Sequence, residues 1–525
     1  MCSGRMKWCL LLGSLGLGSL LPAADWDCVI RGGRVVDGTG ASAVQADIAI
    51  LAGRIAAMGP DLGPAKRSID AQGRVVAPGF IDVHTHSESI GEIPTAENFL
   101  RMGVTTIVTG NCGTSVTDVK QFFGEVEATG VGVNVATLIG HNAVRRAAMG
   151  GSFLRAPTVA QLEEMKRLVD VAMVEGAVGL STGLIYNPGA FAKTDEVLEL
   201  AKVAAKHGGL YVSHMRNESV KILEAIEELM TIARGAQIRA QVSHIKLTGP
   251  TSWGKTAEVL KLLDRGRAEG LQITHDQYAY TASSTSLGQL IPDAAREGTR
   301  EDYRARIADP EKKATIIEQM KAMRERIGRE DYEYAVIARY PADPALNGKS
   351  LREAAKLKRG SAAVAEQVEL ILEIEAQGGG SAVFHGMNED DLQVFLKHPL
   401  TMVASDGGPR KLGEDVPHPR SYGNNARVLG RYVRDLKLMT LEEAVRKMSQ
   451  LPAEVFRLKD RGVLKVGAVA DVVVFDPAKV NDPSTFEDPH HYAEGFSAVL
   501  VNGVPVIDQG VLTGQRPGRV VRREE

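Results

Sequence analysis

A chain of 525 residues that is 44% hydrophobic and 24% charged has material for one large domain with additions, or for two to three domains. Its 62 basic and 65 acidic residues leave a formal charge of -3, and the two signs are interspersed except for a short basic cluster at Arg519, Arg522 and Arg523. That balance argues against nucleic acid and anionic membrane surfaces as partners.

The first 24 residues read as a secretory signal peptide. Arg5 and Lys7 precede an apolar stretch from Cys9 to Leu21, and Pro22, Ala23 and Ala24 supply small residues for cleavage before Asp25. The apolar stretch is short for a membrane span, so the mature protein is expected to be exported, periplasmic or secreted, and free of the membrane after cleavage; an uncleaved anchor is the alternative. Removal of the signal leaves Cys28 and Cys112, which is no disulfide framework. Cys28 sits in a strand-like run and reads as a buried thiol.

From Cys28 to about Val76 the text is short strands and turns, and the same texture returns in Gly462–Gly467, Asp471–Phe475 and Ala498–Gly503. A small β domain built from both chain ends, residues 25–76 and 461–525, is the simplest arrangement. Between them, residues 77–460 alternate apolar strands with amphipathic helices, the pattern of a parallel sheet with crossover helices. Eight strands are expected, at Phe80–His86, Thr105–Thr109, Gly132–Ile139, Val178–Thr182, Leu210–His214, Arg239–His244, Gln272–His275 and Thr401–Ser405. Eight is the number that closes a TIM barrel, so the fold class is α/β with a (β/α)8 barrel, and a doubly wound open sheet is the weaker alternative. The rhythm breaks between the seventh and eighth strands, where a mostly helical, charged insertion of about 292–380 is expected to form a lid or a wall of the substrate pocket.

His84 and His86 stand one residue apart at the end of the first strand, so both rings project to one face and can grip one metal ion. Later strand ends add Cys112, His214, His244 and Asp406. In a barrel the C-terminal strand ends share one mouth, and a set of histidines, one cysteine and one aspartate suits one or two zinc ions. His141, His275, His385 and His398 have no partner in the sequence that raises them above packing or turn roles.

The segments PGFIDVHTHSE, GNCGTS, STGLIYNPG, YVSHMRNES, QVSHIKLTG, HDQYAYTASST and ASDGG followed by HPR resemble the amidohydrolase superfamily and, within it, the D-aminoacylase (N-acyl-D-amino-acid deacylase) group. The resemblance runs over almost the whole mature chain. It implies that Cys112, His214 and His244 hold a tight zinc, with His84 and His86 forming a second, weak position. It further implies Asp406 as the general base and acid, Tyr186 as the donor to the scissile carbonyl, and Lys246, Arg420, Tyr278 and Ser283 as the grip on the substrate carboxylate. Tyr280 competes with Tyr278, and spacing leaves both open. Asp82, on the same strand as His84, is expected to support that ligand. The stretch from Asp406 to His418 departs from the pattern in containing no additional histidine, which bears on loop geometry and substrate range.

The resemblance implies hydrolysis of an N-acyl-D-amino acid to a carboxylate and a free D-amino acid. A dipeptidase or cyclic amidase on the same scaffold and a catalytically silent binding protein are the alternatives. Ile185, Leu287, Leu290 and Ile291 suggest an apolar side-chain pocket, which favours acylated D-leucine, D-methionine or D-phenylalanine over D-glutamate.

Overall fold

The computed structural model describes residues 26–523, so the signal-peptide expectation for residues 1–24 lies outside the described residues. Eight short parallel strands form the central barrel: β1 (Phe80–Asp82), β2 (Val104–Thr109), β3 (Asn134–Thr137, continued by Ile139–Gly140), β4 (Gly179–Gly183), β5 (Leu210–His214), β6 (Arg239–Val242), β7 (Ile273–Gln277) and β8 (Thr401–Val403). Each pairs with its neighbour in sequence. The two halves of β3 face different partners, the first β2 and the second β4. The ring shuts between β8 and β1, where Asp406 N–H donates to His84 O at 2.8 Å and His86 N–H donates to Gly407 O at 2.7 Å.

Parallel strands covered by helices are apolar on both faces, and this barrel has a core on each side. Ile81, Val108, Leu138, Val178, Val212 and Met402 fill the interior. A larger cluster lies between the strands and the helices around them, such as Val159–Glu175, Thr194–Lys206 and Ile222–Ala236. The N-terminal mouth is closed by Leu451, Phe456, Leu458 and Val521 packed onto the interior cluster. Only the opposite mouth is left for a site.

A nine-stranded sheet draws on both chain ends. Its seam is the antiparallel pairing of Val75–Pro78 with Val472–Phe475, which sets Val76 against Val474. Cys28, Ile30, Ile48, Val472 and Leu500 give it a core of its own. Burial pushes the Cys28 thiol up to about 11, and both described cysteines are free.

The chain end departs from the expectation that residues 461–525 serve the small domain throughout. Past Val511–Leu512 the chain returns to the barrel, where Arg519 O accepts from Val135 N–H at 2.9 Å and Val521 N–H donates to Val135 O at 2.8 Å. Backbone pairing to β3 and burial of Val521 outweigh sequence proximity to the small sheet.

The insertion is not purely helical, and it runs from Ser283 to Phe384, wider than the expected 292–380, because its bounding strands pair with each other. Ser283–Ser286, Ala335–Arg339 and Ser381–Phe384 form a three-stranded antiparallel sheet with the last strand in the centre. The four helices Arg300–Ala308, Pro310–Arg326, Leu351–Arg359 and Val364–Ala376 share a core with it through Met320, Leu351, Leu370 and Ile371. Strands of four or five residues carry little periodicity, and these pair across long stretches of chain, as Ser283 does with Phe384.

Candidate metal centre

Regular pairing stops at Asp82, Val242 and Val403, so His84, His86, His244 and Asp406 lie just past the strands on which the sequence places them. The backbone turns sharply there. Cys112 (φ 53°), His244 (φ 32°) and Asp406 (φ 52°) all occupy the left-handed region, which is uncommon for residues with a Cβ and costs about 1–3 kcal/mol each. Gly113 makes the Cys112 turn possible: its φ is +75°, and a Cβ there would lie 2.2 Å from Asn142 Oδ1.

These turns bring together six side chains from five strand ends. His84 Nε2 lies 3.3 Å from Cys112 Sγ, Cys112 Sγ lies 3.6 Å from His244 Nε2, and His244 Nε2 lies 2.8 Å from His214 Nδ1. Asp406 Oδ1 is 3.0 Å from His86 Nε2 and 3.5 Å from His84 Nε2. Three sets of ligand atoms, each within 4.8 Å of one another, fit a metal ion: Cys112 with His214 and His244, Cys112 with His84 and His86, and His84 with His244 and Asp406.

The electrostatics of the set also suit a cation. Burial pushes the Cys112 thiol up, but the His84 charge and hydrogen bonds with His214, His244 and His84 outweigh it and hold the group well below the usual cysteine range. Burial likewise pushes Asp406 up, and the Arg420, His84 and His86 interactions hold it well below the carboxylate range. In the other direction, burial works against protons on His84 and His86, yet Asp276, Cys112 and Asp406 raise His84 well above the usual histidine range, and Asp406 and Cys112 raise His86 to about 10. Buried anions are here balanced by protons on the ligands, and a divalent cation supplies the same balance.

The remaining expected residues surround this cluster. Tyr186 stacks edge-on against His214 at 4.8 Å, and its hydroxyl accepts from Thr285 at 3.1 Å. Burial, followed by the Cys112 charge, keeps it a phenol and thus a donor. Arg420 NH1 lies 2.7 Å from Asp406 Oδ2, and the guanidinium covers the Tyr278 ring at 4.7 Å. Tyr280 instead donates to Asp482 at 2.7 Å. Lys246 Nζ meets Glu218 Oε1 at 2.6 Å. Both expected carboxylate-binding cations therefore face a carboxylate of the protein itself. Ser283 lines a cavity of about 170 Å³ over His214, His244 and Asp406. A roomier groove of about 800 Å³, between Asp37 and Lys465, contains none of these side chains.

A model of the amidohydrolase family matches residues 67–507. The chain belongs to that family. It is 38% identical over 522 residues to the N-acyl-D-glutamate deacylase of Alcaligenes xylosoxydans xylosoxydans, covering 95% of this chain and 97% of that relative. A crystal structure of the N-acyl-D-glutamate deacylase from Bordetella bronchiseptica, complexed with zinc and a phosphonate mimic of the tetrahedral intermediate, matches with a TM-score of 0.81 at 36% identity, covering 95% of this chain and 100% of that one. A D-aminoacylase structure that concerns a binuclear metal centre, with one-metal activation and second-metal attenuation, matches with a TM-score of 0.81 at 34% identity and the same coverage.

Two carboxylates of this amidohydrolase escape the sequence reading. Asp276, at the end of β7, accepts from His244 N–H at 2.9 Å, lies 3.1 Å from His84 Nδ1 and bonds Gln241 Nε2. Glu218 lies behind His214 and His244. Both stand inside segments that carry the resemblance, Glu218 four residues after His214 and Asp276 directly after His275, and that placement was the signal for them. Asp82 accepts from His84 N–H and Ser405 N–H, each at 3.1 Å, and burial raises it to about 6. His275 turns outward to Thr401 and His141 pairs with Glu196. Of the apolar candidates, Ile185 and Leu290 line the cavity, whereas Leu287 and Ile291 lie in the core of the insertion, which contributes Ile327, Arg329 and Tyr334 to the wall instead.

Proposed function

We propose that this protein is a zinc-dependent hydrolase that cleaves N-acyl-D-amino acids to a carboxylate and a free D-amino acid. The observation that carries the reading is the convergence of Cys112 Sγ, His214 Nδ1 and His244 Nε2 beside the Asp406 carboxylate, in a chain that matches N-acyl-D-glutamate deacylase over nearly its whole length. Cys112, His214 and His244 form the tight zinc position; His84 and His86 form a second, weaker one. Thiolate and neutral imidazole are good zinc ligands, and coordination keeps the thiol deprotonated. Zinc supplies a Lewis acid that polarises a carbonyl and lowers the pKa of water toward ~7.

Asp406 takes the proton of the attacking water as oxygen adds to the acyl carbon. It returns that proton to the nitrogen as the C–N bond breaks, leaving a carboxylate and an amine. Tyr186 donates a hydrogen bond from its hydroxyl to the carbonyl oxygen, whose negative charge grows during attack. Arg420, stacked on Tyr278, together with Lys246 and Ser283, grips the α-carboxylate; for Arg420 this carboxylate competes with Asp406. Holding the carboxylate and the acyl carbonyl pins two substituents of the α-carbon, so only one enantiomer can place its side chain in the cavity.

The test is a kcat/KM panel of N-acetyl-D- and N-acetyl-L-amino acids, D-containing dipeptides and hydantoins on protein of measured metal content. Strong preference for the D-amides with zinc present supports the reading. Turnover confined to hydantoins or dipeptides, or no turnover with zinc loaded, overturns it. Export is part of the same proposal and rests on the first 24 residues; a mature N-terminus at Asp25 on protein recovered outside the cytoplasm is its check.

A further inference from the structure

We propose that Glu218 is a positioning residue of the metal centre, holding the outer nitrogens of two ligand rings so that their inner nitrogens face the metal. The inference rests on the zinc reading above. Each of the two rings turns one nitrogen inward, His244 Nε2 and His214 Nδ1, which lie 2.8 Å apart. The outward nitrogens both face the Glu218 carboxylate, His244 Nδ1 at 2.9 Å from Oε1 and His214 Nε2 at 3.5 Å from Oε2. His214 Nε2 is buried and makes no hydrogen bond, so the Glu218 carboxylate at 3.5 Å is the acceptor that faces it.

The carboxylate is anchored where it stands. Asn217 Oδ1 accepts from Ser219 N–H and Lys221 N–H, both at 2.9 Å, which pins the turn after β5. Glu218 O accepts from Thr248 N–H at 2.8 Å and from the Thr248 hydroxyl at 3.0 Å, which ties that turn to the loop after β6. Glu218 therefore bridges the turn that follows His214 at the end of β5 and the loop that carries His244, and it is itself buried.

Tautomer chemistry gives this placement its consequence. An imidazole that offers a lone pair to a metal at one nitrogen carries its proton on the other, and an anion facing that outer nitrogen favours the arrangement. His244 Nδ1 has a second neighbour, Lys246 Nζ at 2.8 Å. An ammonium only donates, so a bond from Lys246 to Nδ1 leaves the ring proton on Nε2, where no metal can be ligated. Glu218 and Lys246 thus pull His244 toward opposite tautomers, and only the pull of Glu218 is compatible with ligation.

The experiment is chelator competition for zinc on the full mature chain, comparing the native protein with Glu218→Gln, Glu218→Asp, Lys246→Met and Cys112→Ala. Loss of an outer partner of a ligand histidine costs about 10–100-fold in metal affinity. Glu218→Gln, which keeps the shape and removes the charge, is expected to weaken zinc binding by that factor, and Glu218→Asp to recover part of it. Lys246→Met is expected to bind zinc as tightly as the native protein or more tightly. Cobalt in place of zinc gives a second readout, since a reoriented imidazole shifts the visible ligand-field bands in Glu218→Gln. Native zinc affinity in Glu218→Gln, with zinc lost from Cys112→Ala, overturns the proposal. So does an equal loss in Glu218→Gln and Lys246→Met, because it marks the ion pair alone as important. Full zinc retention by Cys112→Ala overturns the metal reading instead.

Discussion

Asp406 concentrates the proton chemistry in a carboxylate held between Arg420, His86 and His84. Asp406→Asn keeps the shape and cannot carry a proton; it is expected to retain zinc and lose about 10²–10⁴-fold in kcat, with near-native turnover counting against the assignment. The pH profile follows from the same contacts. A base must be deprotonated to act, and Arg420 is the strongest influence lowering Asp406 against burial. Activity is therefore expected to persist well into the acid range and to fall only as pH drops through the depressed value. Arg420→Ala removes that charge and is expected to move the acidic limb of kcat upward by about 1–3 pH units. An unmoved limb separates Arg420 from the ionisation of Asp406. Buried Cys28, by contrast, faces no cation cluster of this kind, and its raised thiol marks it as packing.

At the scale of elements, the chemistry sits on the turns that end the strands. Cys112, His244 and Asp406 each accept a left-handed backbone, and strain at these points is held by the closed ring of β strands beneath them. Gly113→Ala places a Cβ against Asn142 in a backbone that disfavours it. The variant is expected to lose about 1–3 kcal/mol of stability and to bind zinc more weakly, because any relief moves Cys112. Equilibrium unfolding and metal analysis read the two effects; unchanged zinc binding would show that the turn adapts without disturbing the thiolate. The insertion works differently. Its first strand, Ser283–Ser286, carries Ser283 and Thr285 to the cavity, and its own core keeps that strand in place.

For the whole molecule, the barrel is sealed at one mouth and functional at the other. The seal is partly the chain terminus: Val521 packs into the interior cluster, and Arg523 donates to the backbone carbonyls of Met173, Ala177 and His207. A chain ending after residue 517 is expected to unfold at a lower temperature, since it exposes Leu451, Phe456 and Leu458 at the bottom of the barrel. It should still bind zinc at temperatures where it is folded. A midpoint equal to that of the full chain would mean that Leu451, Phe456 and Leu458 close the barrel alone.

Much was legible along the chain because barrel strands are local and repetitive. Apolar runs spaced by amphipathic helices give the count of eight, and His84, His86, Cys112, His214, His244 and Asp406 all stand at the ends of those runs. The sheet of the insertion and the return of residues 519–521 to β3 were not legible, because each depends on pairing between distant segments whose local pattern is weak. The same holds for the partners of the site. Asp276 reaches His84 only across the closed barrel, whereas Glu218 stands four residues after His214 and meets His244 only because β5 and β6 are neighbours, and Arg420 meets Asp406 only through the turn at His418 and Pro419. Residue types and strand ends follow from short-range chemistry written in order along the chain. Which charge faces which nitrogen is set by the closure of the barrel, which brings together groups far apart in sequence.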